Sequence, residues 1–412
     1  MTLSPKIRDL LRRVAREFST PCYVYLLEGV HETLRLLDRE FGGRFQISFA
    51  VKSNPNRSFL EQIRPWVASL DISSAGELDR ALDAGYDPAL LSFSGPAKRT
   101  DELEHALQAH CGEFVCESEW ELGELDRLAG ALGTRVAALL RINQRSAPKK
   151  FGVRMAGRPS QFGIDEEDLD EVLGRLQHLR RFDFRGFHIF SATNSLSVEG
   201  LAENFAIMID LFDRFSKTHE LAPARLIFGS GFGIPYHDAE SPLDLGELAR
   251  RINPQIDAMR RRPLLAEAQC VLEMGRYIVG PHGFFLTSVI NQKRSRGTEI
   301  RMCDGGLHHH IAACGLMGMV IRRNYPMWNL SAAEGDPCAE YTLVGPLCTT
   351  VDTLASKIEL PRLERGSVIA IGSSGAYGLT ISPTDFISHP KPAEYLVLGA
   401  GPDAQILDIS KG

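Results

Sequence analysis

The chain is 412 residues long, 44% hydrophobic and 24% charged, with a formal net charge of −6. That length allows two or three domains and a large core, and charge scattered along an acid-leaning sequence excludes the basic stripe of a nucleic-acid binder. No run approaches the ~18 apolar residues of a membrane span, so neither nucleic acid nor membrane is an expected partner.

In chain order, the N-terminal stretch holds Lys6, Arg8, Arg12, Arg13 and Arg16 without the apolar segment of a signal peptide. Its residues Ile7, Leu10, Leu11, Val14 and Phe18 fall at helical spacing and predict a short amphipathic helix. Apolar, β-favouring runs then predict strands at Phe45–Val51, Val67–Ile72, Leu90–Ser94, Glu113–Cys116, Arg135–Ile142, Phe182–Phe190, Arg225–Phe228 and Gln269–Glu273. Helix-like stretches separate them, among them Gly76–Ala84, Glu102–Gln108, Glu119–Leu132, Asp165–Leu179, Leu201–Thr218 and Leu245–Arg261. Eightfold strand–helix alternation predicts an α/β fold, a closed (β/α)8 TIM-like barrel over residues 28–280. Lys149–Ser160, rich in Gly, Pro and basic residues, reads as an exposed loop or flap.

After Pro281 the pattern changes. Phe284–Gln292, Glu299–Cys303, Tyr341–Val344, Ser367–Ile371 and Ala393–Leu398 predict strands without long helices between them. Residues 1–27, with Tyr23-Val24-Tyr25 as a further strand, and 281–412 are therefore expected to form a mostly β domain, a β-sandwich or Greek-key barrel. The eight cysteines, Cys22, Cys111, Cys116, Cys270, Cys303, Cys314, Cys338 and Cys348, make no Cys-x-x-Cys pair. They read as reduced thiols of a cytoplasmic protein.

In a (β/α)8 barrel the reactive groups sit at the C-terminal ends of the strands. Here those ends carry Lys52, then Asp71 with Ser73-Ser74-Ala75-Gly76-Glu77, then His188, then Gly229-Ser230-Gly231-Phe232-Gly233, and finally Glu273-Met274-Gly275-Arg276. A lysine desolvated at a strand end loses basicity and can form a Schiff base with a carbonyl cofactor such as pyridoxal phosphate. The glycines read either as a phosphate cradle or as a tight turn. Glu273, a costly buried carboxylate unless paired, can face a pyridine nitrogen. His188 is a ring-stacking group or a satisfied core histidine, and Arg276 an anion anchor or a salt-bridge partner.

Ala50-Val51-Lys52-Ser53-Asn54, Asp71-Ile72-Ser73-Ser74-Ala75-Gly76-Glu77-Leu78, Gly231-Phe232-Gly233-Ile234-Pro235-Tyr236 and Glu273-Met274-Gly275-Arg276-Tyr277 resemble the fold type III pyridoxal-phosphate decarboxylases, which include the diaminopimelate, ornithine and arginine decarboxylases. The likeness continues through Gly345-Pro346-Leu347-Cys348 and Ser374-Gly375-Ala376-Tyr377-Gly378. It implies that Lys52 holds the cofactor as a Schiff base, with Asp71 and Ser191 beside it and His188 stacked on the ring. It further implies Gly231, Gly233, Gly275 and Arg276 around the phosphate and Glu273 on the pyridinium nitrogen. The family forms head-to-tail homodimers with shared active sites. Cys348 is then the acid, supplied by the partner chain, that protonates the α-carbon after carbon dioxide leaves. Asp352 lines the same pocket and Tyr377 reaches the cofactor from the partner.

Where diaminopimelate decarboxylases carry an arginine and a tyrosine for the distal end of the substrate, this chain has Ala312 and Leu316, and Thr349 replaces a glutamate after the cysteine. Phe190 and Ser230 stand where the family has glycines. Asp304-Gly305-Gly306-Leu307-His308-His309-His310, Ile321-Arg322-Arg323-Asn324-Tyr325-Pro326 and Gly345-Pro346-Leu347-Cys348-Thr349 resemble a narrower branch. That branch is similar to the decarboxylase of butirosin assembly, which acts on glutamate tethered to an acyl carrier protein, and to relatives in exosortase-linked gene clusters. The resemblance implies a carrier-bound aminoacyl substrate, with Arg322 and Arg323 facing it and Lys149, Lys150, Arg154 and Arg158 as further basic contacts to an acidic acyl or peptidyl carrier protein. The three histidines, in an extended segment with alternating faces, predict no metal site. The alternatives are decarboxylation of a free amino acid, racemisation on the same cofactor, and a non-catalytic cofactor-binding protein.

Overall fold

The computed structural model describes residues 3–148, 153–154, 156–315, 323–333 and 335–411. Runs rich in apolar and aromatic residues form strands that are largely buried on both faces, as parallel strands between two layers of cover must be. Eight of them, Gln46–Ala50, Ser69–Ile72, Leu91–Phe93, Glu113–Cys116, Val136–Asn143, Phe182–Phe190, Arg225–Gly229 and Gln269–Met274, pair in parallel with their neighbours. Gln269–Met274 returns to Gln46–Ala50, so the sheet closes into a TIM-like barrel. Its interior carries Val115, Leu139, Ile227 and Val271. Outside, Phe205 and Phe212 of helix Val198–Thr218 pack on Phe228, the first stacked and the second edge-on, both at 5.2 Å.

Short loops leave the C-terminal ends of the strands and enter capped helices. Ser74, Ser118, Ser197 and Asp244 each accept the backbone N–H three residues on, caps typically contributing about 1 kcal/mol apiece. The predicted helix Asp165–Leu179 is shorter: only Leu169–Arg175 is α-helical, followed by a 3-10 turn. Its first residues are drawn off because Ile164–Asp165 pairs with the end of Val136–Asn143. Helix Arg57–Ile63 was not anticipated; Asn56 is its N-cap, accepting from the Ser58 and Phe59 N–H groups. Of the predicted flap, residues 149–152 and 155 lie outside the described residues, while Val153–Arg154 pairs with Ala192–Thr193.

The chain divides into two compact units, Leu34–Gly233 with Pro242–Gly275, and Met1–Thr33 with Ile234–Ser241 and Arg276–Gly412. In the second unit, nine strands join in one hydrogen-bonded network. Its spine is the long strand Gly283–Ser295, which pairs with Cys22–Leu26, Thr298–Cys303 and Val368–Ile371. Helix Pro5–Glu17, capped by Ser4, lays Leu10, Leu11 and Val14 on a core that includes Val24, Leu286 and Val397. Strands Met327–Asn329, Thr353–Pro361 and Gln405–Asp408 were missed. Thr353–Pro361 shows why: its hydrophobic alternation is interrupted at Lys357, which sits at a left-handed φ of 50°. No helix among the described residues is long and apolar enough to cross a membrane.

Candidate active site

Strand Gln46–Ala50 stops two residues short of Lys52, which sits in the 3-10 turn Val51–Ser53. The turn is pinned from beneath by Gly275: a Cβ there would lie 2.4 Å from Ser53 Oγ and 3.0 Å from the Ala50 carbonyl. Lys52 differs from the desolvated amine expected of the strand end, because its side chain is 39% exposed and paired with acids. Its Nζ donates to Asp71 Oδ2 at 2.5 Å and stands 3.8 Å from Glu273 Oε1. Ser94 Oγ donates to the other Asp71 oxygen at 2.5 Å, and His188 Nε2 meets Glu273 Oε2 at 2.9 Å. Five strand ends of the barrel thus supply one run of hydrogen bonds and ion pairs.

Burial acts on both carboxyls, with opposite net results. For Glu273 burial pushes upward, but the neighbouring His188, Lys52 and Arg141 charges outweigh it and hold the carboxyl down at about 2. For Asp71 burial and the Glu273 charge together raise the carboxyl, against Lys52 and the Ser94 hydroxyl. We attribute the asymmetry to His188, which is hydrogen-bonded to Glu273. Glu273 is therefore the fixed negative charge of the site.

Two more predicted residues leave atoms in want of a partner. His188 Nδ1 and Ser191 Oγ are buried without a hydrogen bond, and such atoms in native proteins call for a ligand or water. The glycine run divides its labour. Gly229 makes room for Phe190, whose ring would lie 2.3 Å from an added Cβ; this accommodates the bulky residue that the sequence flagged. Gly231 has a φ of +66° and its carbonyl accepts from Ser195 N–H, while Gly233 N–H donates to the Ser195 carbonyl at 2.9 Å. The Ser230 hydroxyl donates to the Glu273 carbonyl at 2.9 Å.

Arg141 was missed, although a lone charge inside Leu139-Leu140-Arg141-Ile142 is a signal that a buried partner exists. It is the register neighbour of His188, and its guanidinium donates to Glu117 at 2.8 Å. Glu117 also accepts the N–H of Gly95 and of Gly163, both at 2.9 Å. Beside it Lys98 and Glu121 pair at 2.6 Å, also buried. Removing one member of a buried pair leaves the other charge uncompensated, typically at about 3–5 kcal/mol. Glu117→Ala is expected to lose stability on that scale, read as a lowered urea midpoint, whereas the exposed pair member Glu171→Ala is expected to lose almost none.

In the second unit, Arg276 donates to the Tyr236 hydroxyl, its guanidinium lies 4.7 Å from the centre of the Tyr377 ring, and its Nε is buried without a partner. Burial alone disfavours its charge, but the surrounding tyrosines Tyr236, Tyr377 and Tyr325 more than restore it. Cys348 is exposed on the loop that follows strand Cys338–Val344. Asp352, expected to line a substrate pocket, is 2% exposed and turns both oxygens onto backbone N–H groups. Arg323 is exposed and reaches the His237 ring at 3.1 Å. Arg322, Leu316, Lys149 and Lys150 lie outside the described residues, as does the side chain of Arg154; Arg158 is exposed.

The His308–His310 segment is not extended, as expected, but turned. The Gly306 carbonyl accepts the N–H of both His309 and His310 at 2.9 Å, which buries all three rings. His310 Nε2 pairs with Ser374 Oγ and His309 Nε2 with the Pro390 carbonyl, and burial pushes His310 down to about 3. No group of metal-ligating side chains occurs among the described residues.

A lysine set between carboxylates at the C-terminal rim of a (β/α)8 barrel is the arrangement of a barrel enzyme whose amine can take up a carbonyl group. Residues 27–280 match the family described as pyridoxal-dependent decarboxylase, pyridoxal binding domain. The chain is 32% identical over 388 residues to the L-glutamyl-[BtrI acyl-carrier protein] decarboxylase of Niallia circulans, covering 93% of this chain and 90% of that one. It is 31% identical over 396 residues to the diaminopimelate decarboxylase of Pseudomonas aeruginosa, covering 94% and 90%. The crystal structure of Helicobacter pylori diaminopimelate decarboxylase complexed with L-lysine shares the fold, with a TM-score of 0.85 at 24% identity over 97% and 95% of the two chains. The protein belongs to the pyridoxal-dependent decarboxylases. Its cofactor is pyridoxal phosphate, and the residues present fit that group: an amine for its aldehyde, an ionised carboxylate for its ring nitrogen, and the unpartnered His188 Nδ1 and Ser191 Oγ.

Proposed function

We propose that this protein removes the α-carboxylate of an L-amino acid unit tethered to an acyl or peptidyl carrier protein in a biosynthetic pathway, acting as a cytoplasmic homodimer with shared active sites. The observation that carries the chemistry is the Lys52–Asp71 and Glu273–His188 run of charge at the barrel rim. What favours the tethered substrate is the likeness to a decarboxylase of a carrier-bound glutamyl group, at 32% identity along nearly the whole chain.

When bound, pyridoxal phosphate supplies an electron sink conjugated to the substrate amine. Lys52 would hold its aldehyde, and Asp71, itself held by Ser94, would orient the Lys52 amine. Glu273, kept ionised by His188, would stabilise positive charge on the ring nitrogen of the bound cofactor. His188 would pack on its ring, and Ser191, Gly231, Gly233, Gly275 and Arg276 would hold the cofactor with Tyr377, whose ring lies 4.7 Å from the Arg276 guanidinium in the same chain. Cys348 from the other subunit would deliver a proton to the α-carbon. The distal end of a thioester-linked substrate is neutral, so no cationic clamp is needed there. Exposed Arg158 and Arg323 support contact with an acidic carrier.

The test is intact-protein mass spectrometry of aminoacyl carrier proteins incubated with the enzyme and pyridoxal phosphate, beside the free amino acids. The expected result is loss of one carbon dioxide from a loaded carrier and none from its free amino acid. Loss from the free amino acids alone overturns the tethered reading in favour of a diaminopimelate-like activity.

A further inference from the structure

Loop Gly345–Asp352 carries Cys348, and its base is closed by the Val344–Thr353 register pair and by Gly345 N–H donating to the Asp352 carbonyl at 3.1 Å. Inside that base sits the Asp352 carboxylate. Oδ2 accepts Leu347 N–H at 2.7 Å, and Leu347 is the residue immediately before Cys348. Oδ1 accepts Leu307 N–H at 2.6 Å, on the turn that leads into His308. One buried side chain thus ties the thiol-bearing loop to itself and to a second loop.

The packing shows that the space was made for this carboxylate. An added Cβ on either Gly306 or Gly345 would lie 2.4 Å from an Asp352 oxygen, and one on Gly345 would come within 2.5 Å of the Gly306 Cα. Two glycine backbones therefore cross at the carboxylate, and neither has room for a side chain. The surroundings are demanding: burial pushes the Asp352 carboxyl up, and the N–H groups of Leu307 and Leu347, with His389, oppose it. Leu347 is buried while Cys348 next to it is exposed, so the thiol projects from a fixed base.

We propose that Asp352 is a positioning residue that fixes where the Cys348 thiol stands, and through it where the proton goes after decarboxylation. The inference rests on the reading of Cys348 as proton donor. In the productive step the C–C bond breaks, carbon dioxide leaves, and the electron pair is returned to a new C–H bond at the α-carbon. The proton for that bond comes from the Cys348 S–H, leaving a thiolate that solvent reprotonates. If the thiol is misplaced, the same electron pair can instead take a proton at the former aldehyde carbon of the cofactor. Hydrolysis then gives pyridoxamine phosphate and a carbonyl product in place of the amine.

Asp352→Asn keeps the size but puts an amide NH2 where one backbone N–H must be accepted, so one tie is lost. Gly345→Ala presses a methyl onto the same carboxylate and tests the clamp without substituting Asp352, which covers the case that the first variant folds poorly. Each is compared with Cys348→Ala in two measurements. The first is the fraction of turnovers ending in pyridoxamine phosphate, by mass spectrometry. The second is the iodoacetamide alkylation rate of Cys348 in cofactor-free protein, with exposed Cys338 as internal reference. The expected result is that both clamp variants raise the pyridoxamine fraction about tenfold or more, as a misplacement near 1 Å can, and change the Cys348 to Cys338 alkylation ratio. Slower turnover with the parental partition and an unchanged alkylation ratio overturns the proposal. If Cys348→Ala itself keeps the parental partition, the proton-donor reading has failed, and the alkylation ratio alone then decides whether Asp352 places the thiol.

Discussion

Lys52→Met is expected to reduce carbon dioxide release to background and to abolish the absorbance of covalently held cofactor. Methionine preserves the unbranched stem but offers no amine, so the cofactor aldehyde has nothing to join and the substrate nothing to displace. The change also reaches the acids. Asp71 loses the ammonium 2.5 Å away and Glu273 one of its three stabilising charges. Asp71, already raised by burial and by Glu273, then has only Ser94 to favour its ionised form, so it protonates more readily still. The variant should therefore stay folded, because protonation relieves the uncompensated charge. The checks are ultraviolet–visible spectra and carbon dioxide release with loaded carrier. Release above background from pure Lys52→Met would sink the assignment of Lys52 as the cofactor lysine.

How much of this was legible in the sequence depended on whether a residue's role is local. The eight barrel strands were readable because each is a short apolar run whose neighbours are turn residues. Lys52, Asp71, His188 and Glu273 were readable because barrel geometry sends strand ends to one rim. Ser94 was not, since a serine after a strand is ordinary until an acid from another strand turns toward it. The same holds for Glu117 and Arg141, which are 24 residues apart and whose partnership is set by the fold. Asp352 is the sharpest case. Its place after Cys348 suggested a pocket wall, but two crossing glycine backbones draw the carboxylate inward. The histidine run failed through a wrong local conformation, because the Gly306 carbonyl bends the chain where extension was assumed.

Glu273→Gln is expected to keep the fold and lower kcat on the order of 10²–10³, the usual loss when one preorganised electrostatic group is removed. Glutamine retains an oxygen for His188 Nε2 at the present 2.9 Å, so the geometry survives. What disappears is the negative charge that stabilises a protonated ring nitrogen, and with it most of the electron sink. A variant within about tenfold of the parent, a barrier change of only about 1.4 kcal/mol, would remove Glu273 from that role. The stability curve gives a second check, with a definite sign. Burial pushes the Glu273 carboxyl up, yet His188 and Lys52 hold it at about 2 against an ordinary 4.5. A depressed carboxyl contributes stability that is fully present above its unfolded value and is lost as the pH falls through its folded value. The parent should therefore lose this contribution as the pH drops from 4.5 toward 2, while Glu273→Gln has none to lose. Urea midpoints of the two proteins are expected to differ at neutral pH and to converge across that window. A gap that stays constant would mean that the charge on Glu273 is not what His188 and Lys52 hold in place.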